Sequence, residues 1–106
     1  MLLVENGGNS PTVTFDKDYF ITYILTYHWN DGNGSPAGTV ALQGRDGVLY
    51  GPWQTTLESG VYWTVNPSVT LPAGVYTVID SDPSTWAQNV ETGGMGITII
   101  KGIVVE

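Results

Sequence analysis

The chain has no cysteine, so disulfides and thiolate metal centres are excluded at the outset. It has one histidine, His28, which rules out a metal site built from several imidazoles. Basic residues are nearly as scarce: Lys17, Arg45 and Lys101 stand against ten acids, for a net charge of -7. A nucleic-acid surface needs clustered lysine and arginine, and an anionic membrane surface needs the same. Three scattered cations fit neither partner, whereas a neutral polysaccharide is electrostatically acceptable. Charged residues make up 12% of the chain, about half the usual share of roughly 25%, so Thr, Ser, Asn, Gln and Gly must carry the solvation. No uninterrupted apolar run approaches the ~18 residues of a membrane span. The opening Met1-Leu2-Leu3-Val4-Glu5 has neither the basic segment nor the long apolar stretch of a signal peptide. Met1 reads as an initiator added when a module was cut from a longer protein, so the missing signal says little about the native compartment.

An amphipathic helix is also missing. What is present is a series of short runs rich in β-branched and aromatic residues, which suit a pleated, half-buried surface. Strands are predicted over Leu2–Glu5, Thr12–Phe15, Tyr19–His28, Gly38–Leu42, Val48–Trp53, Tyr62–Val65, Val69–Leu71, Gly74–Asp80, Ile97–Lys101 and Ile103–Val105. Turn clusters separate them, at Asn6-Gly7-Gly8-Asn9, Asn30-Asp31-Gly32-Asn33-Gly34, Arg45-Asp46-Gly47 and Thr92-Gly93-Gly94. Asp46-Gly47 is a hairpin signal, because both residues tolerate positive φ. Residues 1–106 are therefore expected to form one all-β domain, an antiparallel, jelly-roll-like β-sandwich. In Gly74–Asp80, Tyr76 and Val78 alternate with Thr77 and are expected to face the core. The one helical signal is Asp82-Pro83-Ser84-Thr85-Trp86-Ala87-Gln88-Asn89, where Asp82 could cap and Pro83 could open one or two turns. Trp86 would then project from a loop.

Four tryptophans and six tyrosines in 106 residues exceed what a thin sandwich interior readily takes. Sugar rings present a face of axial C–H groups that packs on an aromatic ring, while nearby amides and carboxylates bind the hydroxyls. Two segments fit that description: Tyr27-His28-Trp29-Asn30-Asp31, and Asp80-Ser81-Asp82 followed by Trp86, Gln88 and Asn89. If their loops converge, Trp29 and Trp86 flank a groove; otherwise each ring is a lid over one end of the core. Trp53 and Trp63 lie inside strands and favour the core over a platform role. Along Tyr19–Trp29, hydrophobicity places the odd positions inward. Yet three tyrosines and a tryptophan on one face would equally form an open platform, and periodicity does not choose between the two.

Asp80 and Asp82 lie two residues apart and admit three readings: a helical cap at Asp82, a structural Ca²⁺ held by both, or a glycosidase pair. The last needs a deep cleft that so small a sandwich seldom has. A Ser–His–Asp triad would depend on His28, and no Gly-x-Ser-x-Gly elbow is present. Gly93-Gly94-Met95-Gly96 lacks the lysine and following helix of a phosphate loop and reads as a turn. No catalytic residues are assigned, and no cofactor is required.

Thr26-Tyr27-His28-Trp29-Asn30, Tyr50-Gly51-Pro52-Trp53, Tyr62-Trp63-Thr64-Val65 and Tyr76–Trp86 together resemble secreted bacterial β-sandwich modules. In size and character the chain is similar to the carbohydrate-binding modules appended to cellulases and other glycoside hydrolases. That resemblance implies a β-glucan ligand, a linked catalytic domain in the parent protein, and Trp29 and Trp86 as the first platforms. A structural or adhesive spacer with buried aromatics is the alternative.

Overall fold

The computed structural model describes residues 4–105. Among these residues nine strands form two antiparallel sheets, as the strand-and-turn pattern predicts: β1 (Thr12–Phe15), β2 (Tyr19–Tyr27), β3 (Thr39–Gly44), β4 (Leu49–Gln54), β5 (Thr56–Glu58), β6 (Tyr62–Val65), β7 (Val69–Leu71), β8 (Gly74–Asp80) and β9 (Thr98–Val104). One sheet has the order β1-β8-β3-β4. In the other, β5 pairs β6 and β6 pairs β2, while β9 runs along nearly all of β2. β7 pairs only the first part of β2, so β6 and β7 share its second edge end to end. This is the expected sandwich.

Most strand boundaries agree with the sequence reading to within a residue or two. β5 was not foreseen, because Thr55 alone separates it from β4 and the chain there passes from one sheet to the other. The two strands expected at the C-terminal end are one, β9, since Gly102 continues the ladder opposite Ile21. Of the strand expected at Leu2–Glu5, Leu2 and Leu3 lie outside the described residues, and Glu5 makes a single bridge with Gln88. The hairpin at Asp46-Gly47 forms, closed by the Gly47 N–H donating to Gly44 O.

No helix forms at Asp82–Asn89. The segment makes one turn, with the Thr85 N–H on Asp82 O and the Trp86 N–H on Pro83 O. The carboxylate of Asp82 takes the hydroxyls of Ser84, Thr85 and Ser35 instead of capping backbone amides. Among the described residues the one helical element is a 3-10 turn at Asn30–Gly32.

Ile21, Ile24, Val40, Leu42, Trp63, Leu71, Tyr76, Val78 and Trp86 form the core between the sheets. Tyr76 and Val78 face it as expected. A register shift between Ile21 and Tyr23 decides which way β2 faces. One extra residue in a strand moves every later side chain to the opposite face. Ile21 points inward, and beyond the bulge Ile24, Thr26 and His28 do so, which turns Tyr23, Leu25, Tyr27 and Trp29 outward.

Candidate functional site

The structure divides the four tryptophans unequally. Trp63 is 1% exposed and Trp86 0%, whereas Trp29 is 40% exposed. Trp53 is half-buried and packs against the core from β4, on the other sheet. The expected groove between Trp29 and Trp86 is therefore corrected: Trp86 lies inside the sandwich and offers no ring face to a ligand. Its indole fits because residue 96 is glycine, for a Cβ there would collide with the ring. Its Nε1–H donates to Ile97 O at 3.2 Å. Trp63 is anchored alike, by a 3.1 Å bond to Ser35 O.

His28 and Asp80 also leave the list of ligand contacts, since both side chains are completely buried. His28 stacks on Trp63 with ring centroids 3.6 Å apart. Its Nε2 meets Asp80 Oδ2 at 2.7 Å and its Nδ1 meets Thr85 Oγ1 at 2.8 Å. Thr85 in turn donates to Asp82 Oδ2 at 2.8 Å, and the Asp82 N–H donates to Asp80 Oδ1 at 2.8 Å. This relay ties the end of β2 to the end of β8. It superficially resembles a hydroxyl–imidazole–carboxylate triad, but the Thr85 hydroxyl is aimed at an anion. The N–H groups of Thr85 and Trp86 that could stabilise an oxyanion are both spent on the turn. The relay is a structural clasp.

The same bonds bear on the cation expectation. Every carboxylate oxygen of Asp80 and Asp82 already has a hydrogen-bond partner within the chain. Among the described residues no group of three or more His, Cys, Asp or Glu is placed to hold a metal. Hydrogen bonds from Ser84, then Thr85 and Ser35, with the positive field of His28, hold the Asp82 carboxyl below its ordinary range against the opposing effect of burial. A depressed folded value means stability that is fully present above the unfolded pKa and is lost as pH falls through the folded one. Acid unfolding should thus steepen below the usual aspartate range, and Asp82→Asn should remove that part of the pH dependence in a urea series.

The outward face of the five-stranded sheet is where aromatic surface collects. Residues opposite one another in the register share a face: Tyr27 with Tyr62, and Tyr23 with Lys101. The Tyr27 and Tyr62 rings stack at 5.1 Å, and Trp29 tilts against Tyr27 at 6.3 Å. Lys101 Nζ lies 5.2 Å from the centre of the Tyr23 ring, a cation–π contact that occupies that ring. The remaining aromatic cluster is Tyr27, Tyr62 and Trp29, with the indole exposed and the two stacked tyrosines half-buried beside it. Partial burial, then its neighbour Tyr62, raises the pKa of the Tyr27 phenol, so that phenol stays neutral.

A rigid loop holds Trp29 in place. Its carbonyl accepts from the N–H of both Gly32 and Gly34, and the ring lies over Gly32. Asn30 and Asp31 adopt positive φ of 46° and 55°, a strained conformation that clusters at functional sites. The strain is held by close packing: Gly34 abuts Gly60 O in the β5–β6 turn, too tightly for any side chain. A run of amides borders the tryptophan. Gln88 donates to Asn6 O, Asn6 Nδ2 to Asn30 Oδ1 at 3.1 Å, and Asn30 Nδ2 to Gly34 O at 2.9 Å.

Of the residues expected to bind, then, Tyr27, Trp29, Asn30, Asp31 and Gln88 gather at one end of this face. Asn89 does not join them, for its side chain closes a turn with Thr92. Tyr62 and Asn6 were missed, and only the strand register and the return of the chain beside Asn30 reveal them. The chain matches no family model, no curated protein and no solved structure.

Proposed function

We propose that this domain binds carbohydrate without catalysis, on the outer face of its five-stranded sheet. Tyr27, Tyr62 and Trp29 are the stacking surface, and Asn30, Asn6, Asp31 and Gln88 are the hydrogen-bonding border. The observation that carries the reading is an exposed indole beside two stacked, half-buried tyrosine rings at one end of the outward sheet face, where such a face is ordinarily polar. A neutral, linear β-glucan suits an open row of rings and a protein of net charge -7. In a secreted parent protein, the domain would hold a linked catalytic domain on its polysaccharide.

Affinity electrophoresis against soluble β-glucans, xyloglucan and xylan, with a cellulose pull-down, tests this. Retardation by a glucan is expected. Trp29→Ala should fold with an unchanged melting temperature and bind about 30-fold more weakly, the effect of losing a contact worth about 2 kcal/mol. No retardation by any polysaccharide and no pull-down would sink the reading.

One observation favours the spacer alternative. Further along the same face and edge, the aliphatic side chains of Ile99 and Ile103 are exposed at 46% and 63%. Aliphatic side chains do not stack on sugars but do pack against a neighbouring domain. Wild-type affinity in a Trp29→Ala protein would favour that reading.

A further inference from the structure

Deamidation requires the backbone nitrogen of the next residue to reach an asparagine side-chain carbon, and a following glycine leaves that path least obstructed. Four steps pair Asn or Asp with Gly: Asn6-Gly7, Asp31-Gly32, Asn33-Gly34 and Asp46-Gly47. In three of them the attacking nitrogen is already engaged. The N–H of Gly32 donates to Trp29 O at 2.9 Å, that of Gly34 to Trp29 O at 3.1 Å, and that of Gly47 to Gly44 O at 2.9 Å. Gly34 is also buried.

Gly7 differs. Among the described residues its N–H has no acceptor, it is exposed, and nothing lies within 4 Å of where a Cβ would stand. We propose that Asn6 is a site of spontaneous deamidation, and that its conversion loosens the loop carrying Trp29. The Gly7 nitrogen bonds to Cγ of Asn6, the Cγ–Nδ2 bond breaks, and Nδ2 leaves as ammonia with the proton given up by Gly7. Water then opens the five-membered imide at either carbonyl, leaving an aspartyl or an isoaspartyl residue. The product carboxylate cannot donate to Asn30 Oδ1, as Nδ2 does at 3.1 Å. Two acceptors then face each other beside the strained Asn30-Asp31 backbone.

The test is peptide mapping by mass spectrometry after the folded protein is held at mildly alkaline pH. Product should accumulate at Asn6 about fivefold faster than at Asn33, the effect of the one hydrogen bond guarding Gly34. In concentrated urea the two rates should converge. Equal rates in the folded protein, or faster loss at Asn33, would overturn the site assignment. For the consequence, Asn6→Asp should leave the circular dichroism spectrum unchanged and increase acrylamide quenching of tryptophan fluorescence. Quenching equal to wild type would overturn the loosening. Neither readout involves a sugar, so the outcome is independent of the glycan proposal.

Discussion

Trp86→Ala is expected to lose about 3–5 kcal/mol of stability, the usual result of truncating a fully buried tryptophan. A domain has only about 5–15 kcal/mol in total, so the protein should be largely unfolded at modest urea concentrations. The size follows from the position of the ring, which is 0% exposed, belongs to the core between the two sheets, and gives its one polar hydrogen to Ile97 O. Truncation leaves a cavity and an unpaired carbonyl together. Gly96→Ala approaches the same defect from the other side, by forcing a methyl group into the indole. Urea melts of both variants check this, and a Trp86→Ala protein as stable as wild type would contradict the placement.

The second large effect concerns the clasp between His28 and Asp80. A polar pair on the surface is worth about 0–1 kcal/mol even when both partners are charged, and if this one were exposed its loss would hardly be seen. Both side chains are completely buried, and removing one partner of a buried hydrogen bond costs about 1–3 kcal/mol, and more where the stranded group is charged, because the other is left unsatisfied. His28→Ala should therefore unfold nearly as readily as Trp86→Ala, losing the 2.7 Å bond to Asp80 and the stack on Trp63 together. His28→Ala and Asp80→Ala combined should be less harmful than the sum of the two, since the stranded group is gone. A double-mutant cycle by urea denaturation measures that difference. Additive losses would mean that the two side chains do not depend on each other.

How much of this was legible in the sequence depends on what each residue's fate rests on. Strands and turns rest on local propensity, and Val69–Leu71 or the Asp46-Gly47 hairpin can be read directly. The facing of β2 could not be read. Its odd and even positions both carry aromatic or aliphatic residues, and the bulge after Ile21 that swaps them exists only in the pairing with β9. Trp86 shows the same limit. Its loop-like neighbours Asp82, Pro83 and Gln88 suggest exposure, while the space that buries it is made by Gly96, ten residues on, and by the sandwich closing over it. Trp29 was legible because it directly follows a strand and enters a Gly-rich loop, and that local context survives folding. Tyr62 became part of the site only through its register opposite Tyr27.

The most direct test of the platform is to titrate the protein with a soluble β-glucan oligosaccharide while following the indole N–H signals by NMR. The resonance of Trp29 should move progressively to saturation, while those of Trp63 and Trp86, buried in the core, stay in place. Saturating sugar that leaves the Trp29 signal unmoved, or that shifts the Trp53 signal instead, would contradict the account.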